Sequence, residues 1–233
     1  MTEPLVACIM LTRDRPAMAR RAVEAFRAQT YPNKRLTIVN TGCFVETLER
    51  FDLNDGGIGH THFPTGRLSA LSIGELRNSA NDAAIGGARA EVLVHWDDDD
   101  WSHPNRIAEQ VALLQSSGAE VVGYNELLFW REGVIQTGLL PTGRLPATHE
   151  PAMRNFQGEA WLYSKQNNLP GALGTSLCYW RRTWERKPFP DLPKRPKGSG
   201  EDYEWLKGLN VVSVSALAPE GFQYLGRHPA APT

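Results

Sequence analysis

The sequence predicts an α/β fold, a mixed and mostly parallel sheet flanked by helices, and three observations predict it. The unbroken apolar run at 5–11 and the segment 91–96, built around Val92-Leu93-Val94, have the length of strands and read as strands buried on both faces. Strand, loop and helix patterns alternate through the first half, as in βαβ units. In the second half strand-like segments look antiparallel. With 233 residues, 41% of them hydrophobic, the chain can bury one substantial core and is read as one domain.

The first strand, 5–11, ends in the polar loop Thr12-Arg13-Asp14-Arg15-Pro16. From Pro16 to about Gln29, Met18, Ala22, Val23, Ala25 and Phe26 recur at helical spacing among charged residues, which predicts an amphipathic helix. A Tyr31-Pro32-Asn33 turn leads to a second strand at 36–39, which runs into Asn40-Thr41-Gly42. Residues 51–67, rich in Gly, His, Pro and Asp, read as a loop with one short strand near His62-Phe63. Residues 72–84 read as a helix with Ile73, Leu76, Ala80 and Ala84 on one side, ended by Gly86-Gly87. The strand at 91–96 stops in four aspartates, and Pro104 opens a helix over 105–116 that carries Ile107, Val111 and Leu114. Strands are expected at 121–124, 126–130 and 172–180, and an irregular loop at 138–149. A short helix at 183–186, a proline-rich loop at 187–200 and a helix opening at Gly200-Glu201-Asp202 complete the reading.

Lys plus Arg number 25 and Asp plus Glu 26, so no global field favours nucleic acid, an anionic membrane or a polyanion, and any charge-based function is local. Cys8, Cys43 and Cys178 are widely spaced, without metal-type pairing, and fit a reducing cytosol. The first residues lack the apolar core and cleavage signal of a secreted protein, and no apolar run approaches the roughly 18 to 20 residues that span a bilayer. The expectation is a cytoplasmic protein whose membrane contact, if any, is peripheral.

Four consecutive acids most often make a solvated turn, but Asp97 to Asp100 follow a buried strand, and in open α/β sheets ligands gather beyond the carboxyl ends of the strands. Unit charges about 4 Å apart repel by roughly 4 kcal/mol at an effective dielectric near 20, so clustered carboxylates need a compensating cation. Several hard oxygen ligands favour Mg²⁺ or Mn²⁺, bound partly through substrate phosphates. A metal-diphosphate site is the expected use of this strand end.

The segment His95-Trp96-Asp97-Asp98-Asp99-Asp100-Trp101-Ser102-His103-Pro104-Asn105-Arg106 resembles the Asp-X-Asp motif of inverting family 2 glycosyltransferases with the GT-A fold. The resemblance implies one GT-A catalytic domain over 1–233, with a nucleotide-binding half at about 1–105 and an acceptor-side half at about 106–233. It implies that Asp99 is the main metal ligand with Asp97 beside it, and that Asp97 or Asp98 reaches the ribose. The run of four leaves the register open by one. Thr12, Arg13 and Arg15 lie in the segment that resembles the family's nucleobase loop. Asn40-Thr41-Gly42-Cys43 stands where the family carries an acidic Asp-Asp-Gly-Ser end, a departure at a position that contacts the base. Glu75-Leu76-Arg77-Asn78 resembles the Ala-Arg-Asn segment, which sets Arg77 near the nucleotide and diphosphate, where a planar fork suits phosphate oxygens.

Gly174 to Trp184, followed by the proline-rich loop and Gly200-Glu201-Asp202, resembles the acceptor-side strand and the Glu-Asp motif. An inverting transfer is an in-line displacement, so the acceptor hydroxyl must lose its proton on the face opposite the leaving diphosphate. Asp202 is assigned as that base, with Glu201 as second choice. His228 stands where some relatives place a histidine near the metal. The implied partners are a nucleotide-diphospho-sugar, expected to be UDP-linked, and a hydroxyl acceptor: a glycan, lipid-linked glycan, protein or small molecule. Near-neutral charge disfavours nucleic acid. Two other readings remain, a sugar nucleotidyltransferase and a non-catalytic nucleotide- or sugar-binding module. The first usually carries a Gly-rich, Lys-containing loop after its first strand, and 12–16 has neither residue.

Overall fold

The structure, a computed structural model, describes residues 3–42, 57–62, 71–86, 89–132, 158–164, 171–193, 200–215 and 224–227. The 138–149 loop, Cys43 and His228 lie outside them, as do the proline-rich residues 194–199.

Strand β1 (Val6–Thr12) leads into helix α1 (Pro16–Arg27), whose proline sits in the first turn, where its missing N–H leaves no bond unmade. β2 (Lys34–Asn40) pairs parallel with β1, and β3 (Ile58–His62) with β2. Helix α2 (Ile73–Ile85) opens with a capping box: Glu75 N–H donates to the Ser72 hydroxyl, and Ser72 N–H to the Glu75 carboxylate. β4 (Val92–His95) returns beside β1, parallel to it. The two-residue β5 (Trp101–Ser102) precedes α3 (Arg106–Ser117), which ends at Gly118 in the left-handed conformation. Then come β6 (Val121–Glu132), β7 (Gly158–Ser164), β8 (Cys178–Trp180), the six-residue α4 (Arg181–Arg186) and α5 (Glu201–Leu206), β9 (Val211–Ser215) and β10 (Tyr224–Arg227).

Among the described residues one sheet has the order β3-β2-β1-β4-β8-β6-β10-β5, with β7 and β9 also paired to β6. β5, β7 and β8 run against the rest, so the sheet is mixed and mostly parallel. Alternate residues of β1 serve opposite faces. Val6, Cys8 and Met10 pack with Ala22, Val23 and Phe26 of α1 and with Ile107, Val111 and Leu114 of α3. Ala7 and Ile9 pack with Ala80 and Ala84 of α2 and with Tyr179, Trp184, Phe189 and Trp205 on the other face. A strand so placed must be apolar at every position, which is why 5–11 lacks alternation.

Two sequence expectations change. The strands at 121–124 and 126–130 are one strand, with a register shift against β9 between Tyr124 and Glu126 that absorbs Asn125. The strand expected at 172–180 is a 3₁₀ turn, Gly174–Ser176, followed by only three residues of β8. Side chains take the carbonyls a ladder would have used: Arg106 donates to Thr175 O at 3.1 Å and Gln110 to Ser176 O at 2.7 Å.

Arg106 is fully buried and also donates to the Ser102 hydroxyl and to His95 O, with its guanidinium over the Trp96 ring. It thereby ties the end of β4 to β5, α3 and the 3₁₀ turn. Replacing Arg106 with Met strips two buried carbonyls and a hydroxyl of their donor. The expected loss is about 2 to 4 kcal/mol in urea unfolding; a loss below about 0.5 kcal/mol, within the range of an ordinary surface change, would show that the cation holds nothing.

Candidate active site

β1 and β4 are parallel neighbours, but the chain leaves β1 toward β2 on one side and leaves β4 toward strands on the other. Their carboxyl ends therefore border a crevice, the place where open α/β sheets bind ligands. The loop after β1 supplies Thr12 and Arg15, and the residues after β4 supply the four aspartates.

The acids divide by direction. Asp98 is buried and accepts from the Thr12 hydroxyl at 2.7 Å and from Arg15 Nη2 at 2.5 Å. Asp99 accepts from Arg15 Nη1 at 2.8 Å, so one guanidinium fork spans two consecutive carboxylates. Asp97, Asp99 and Asp100 can each aim one ligand oxygen so that the three lie within 4.8 Å of one another. Three hard oxygens without sulfur or imidazole suit Mg²⁺ or Mn²⁺. Asp100 was missing from the sequence-based site, although it belongs to the same run. What a sequence cannot give is which member of the run turns inward.

Asn40, at the end of β2, is buried and its Oδ1 accepts from Gly42 N–H at 2.8 Å. Gly42 lies against Asp14, a residue at φ 52°, and a Cβ at Gly42 would collide with the Asp14 backbone and carboxylate. The loops after β1 and β2 are knitted together there. Arg13 is exposed on the same loop.

A second pair of acids, Glu201 and Asp202, stands at the start of α5. The Asp202 carboxylate rests where a Cβ of Gly174 would be, so only glycine admits it. Glu201 is buried and accepts from Arg77 Nε at 3.1 Å. Between the two groups of acids stands His95, fully buried at the end of β4. Burial, and then the nearby Arg77, push its pKa well below the usual histidine value, so the ring is neutral at physiological pH. Its Nδ1 is 2.6 Å from Gly174 O, a carbonyl that can only accept, so the proton sits on Nδ1. Nε2 then accepts from the Tyr179 hydroxyl at 3.3 Å, and Tyr179 in turn accepts from Asn81 at 3.1 Å. Sequence reasoning missed His95 as part of the site, because a lone histidine in an apolar strand carries no local signal.

Burial pushes the Asp98 pKa up from 3.8 to about 7; Arg15 and the Thr12 hydrogen bond oppose the rise, and the Asp99 and Asp97 charges add to it. Asp97 is raised too, again chiefly by burial. A folded pKa above the unfolded one gives stability that is complete below about pH 4 and lost as pH rises toward 7. In chelator, urea-unfolding stability should therefore fall between pH 4 and 7 more steeply in the native protein than in Asp98→Asn. The difference in slope is limited by one proton to about 1.4 kcal/mol per pH unit. Parallel profiles would refute the assignment of that slope to Asp98.

Comparisons with known proteins agree with this geometry. The sequence model described as glycosyl transferase family 2 matches residues 7–129, which is more than half of the chain. No curated protein sequence matches. Among solved structures, the mannosyltransferase PcManGT from Pyrobaculum calidifontis, in complex with GDP-Man and Mn²⁺, has a TM-score of 0.57 at 14% identity, over 98% of this chain and 57% of that one. S. aureus TarS 1-349 has a TM-score of 0.57 at 14% identity with UDP bound, over 96% of this chain and 60% of that one. In complex with UDP-GlcNAc it has a TM-score of 0.56 at 12% identity, over 97% and 59%. The chain thus spans less than two thirds of the length of either, and at these identities the likeness speaks for the fold. Among the described residues no helix is long and apolar enough to cross a membrane. The match over more than half its length, set on a sheet that those structures share, makes the chain a member of glycosyl transferase family 2 with the GT-A fold.

Proposed function

We propose that this protein transfers a sugar from a nucleotide-diphospho-sugar to a hydroxyl acceptor with inversion at the anomeric carbon. The observation that carries the reading is the convergence of Asp97, Asp99 and Asp100 at the carboxyl end of β4, bordering the crevice beside β1. Those three are the residues that would hold Mn²⁺ or Mg²⁺. A divalent cation there supplies positive charge to a departing diphosphate.

The chain's own groups then divide the work. Thr12, Arg13, Arg15 and Asn40 line the carboxyl ends of β1 and β2 and take the nucleoside, with Asp98 fixing Thr12 and Arg15 beneath it. Asp202 takes the proton from the acceptor hydroxyl as its oxygen bonds to the anomeric carbon and the bond to the diphosphate breaks on the opposite face. Glu201 is the weaker candidate for base, since its buried carboxylate is already engaged by Arg77. A UDP-linked donor is the first choice; PcManGT is described with GDP-Man and TarS with UDP and UDP-GlcNAc, so both nucleotides are to be tested.

A thermal-shift screen against UDP, GDP, CDP, dTDP and their sugar conjugates, with and without Mn²⁺, tests the donor. A ligand at about 100 times its Kd stabilises by about 2.7 kcal/mol, a shift of roughly 5 to 11 °C for a domain of this size. The expected result is a shift with one nucleotide that needs the metal and disappears in Asp99→Asn; no shift with any of them overturns the reading. Once the donor is known, Asp202→Asn should keep its affinity within about twofold and lose turnover by at least about 100-fold, the usual scale of a general base. Unchanged turnover would remove Asp202 from the role.

A further inference from the structure

We propose that Arg77 is a positioning residue for the acceptor side: through Glu201 it fixes the first turn of α5, and with it Asp202, relative to the acids that follow β4. The inference rests on the reading of Asp202 as the base.

α5 has six residues, too few for a helix to hold itself together in water. At its far end Trp205 and Leu206 are fully buried, with Trp205 stacked on Phe189 and its indole N–H donating to Lys187 O. At its near end Gly200 enters at φ 72°, and Glu201 and Asp202 follow at once. Glu201 is buried, and a buried carboxylate requires a partner. Arg77 Nε, 124 residues away in sequence, donates to it at 3.1 Å.

The arginine is itself held by a rigid base. It lies in the second turn of the capped α2, and its neighbour Asn78 bolts that turn to the segment before α5. Asn78 Nδ2 donates to Phe189 O at 2.9 Å, and its Oδ1 accepts from Trp184 Nε1 at 2.8 Å and from Phe189 N–H at 2.9 Å. Gly74, four residues before Asn78, is so close to the Pro190 carbonyl that a Cβ would overlap it. α2 and the 189–190 backbone are therefore one body, and Arg77 reaches from it to the first residue of α5.

The guanidinium also stands between two sets of charge: Asp97 from the β4 side, Glu201 and Asp202 from α5 all act on it. Its Nη1 lies 3.1 Å from His95 Nδ1, the atom that holds Gly174 O, and Gly174 is the surface on which Asp202 rests. An arginine whose Nε is spent on Glu201 serves the acceptor-side carboxylate by geometry, whereas the family resemblance set it on the diphosphate. Lysine would not replace it, having no planar guanidinium to present an N–H to Glu201 from this position.

The test separates these roles. Arg77→Gln, Glu201→Gln and the double variant are compared for Mn²⁺-dependent affinity for UDP and GDP by calorimetry, for release of nucleoside diphosphate from UDP-GlcNAc and GDP-mannose with water as acceptor, and for amide hydrogen exchange over 200–207. Expected are nucleotide Kd and donor KM within about threefold of the native protein, kcat lower by about 100-fold as for a misplaced catalytic group, and faster exchange over 200–207. The double variant should be no worse than the worse single variant, since the two residues act as one pair. A tenfold or greater loss of nucleotide affinity at unchanged kcat overturns the proposal, as do single effects that add in the double variant. Should Arg77→Gln not fold, Arg77→Lys keeps the charge, loses the fork and is expected to show the same split between KM and kcat. Hydrogen exchange needs neither donor nor metal. Unchanged exchange over 200–207 therefore overturns the positioning role alone, whereas an Asp202→Asn variant with unchanged turnover overturns the base and leaves the exchange result standing.

Discussion

Four carboxylates follow β4 without a residue between them, and their mutual repulsion is the constraint to which the surrounding residues answer. At about 4 Å and an effective dielectric near 20, each neighbouring pair costs roughly 4 kcal/mol, comparable to a large part of a domain's net stability. The structure relieves part of this by setting the Arg15 fork on Asp98 and Asp99 together and the Thr12 hydroxyl on Asp98, while ligand oxygens of Asp97, Asp99 and Asp100 lie within 4.8 Å of one another. Three arginines from three elements surround the group: Arg15 on the loop after β1, Arg77 on α2 and Arg106 on α3. All three lower the pKa of Asp97, yet burial outweighs them and its carboxyl remains raised. Arginines alone leave the cluster short of positive charge, and a hard divalent cation is the group whose charge and ligand preference match what is missing.

The same constraint explains why the cluster sits where it does. A strand interior could not hold it, since each carboxylate would be carried into the sheet. The residues just beyond β4 can, because the chain there leaves the sheet beside the end of β1, and the hydroxyl of Thr12 and the fork of Arg15 come from the strand end next door. Arg106 then fixes the outgoing chain from below, through the carbonyls of His95 and Thr175.

Much of this was legible in the sequence where the signal is local. Apolar runs flanked by polar loops gave β1 and β4, helical spacing gave α1 and α3, and Ser72 three residues before Glu75 marks the capping box that opens α2. The acidic cluster itself was legible as a candidate metal site because of the strand before it. What was hidden depends on contacts distant in sequence. The turn at Gly174–Ser176 reads as strand until Arg106 and Gln110 claim its carbonyls. The register of the acids is set by Thr12 and Arg15, more than eighty residues upstream. His95 and Tyr179 look like core residues of two strands, and only the hydrogen bond between their side chains reveals a file leading to Gly174.

The two halves of the site have unequal means of holding their residues. The side proposed above for the donor borders β1, β2 and β4, strands paired within the sheet, so its acids inherit the rigidity of the sheet. The side proposed for the acceptor hangs on six residues of helix and a glycine contact, and it borrows its geometry through single side chains: Arg77 to Glu201, His95 to Gly174, Asn78 to Phe189 and Trp184. Residues on the strands can stay fixed, while α5 can shift by changing a few long-range partners and leave the sheet undisturbed.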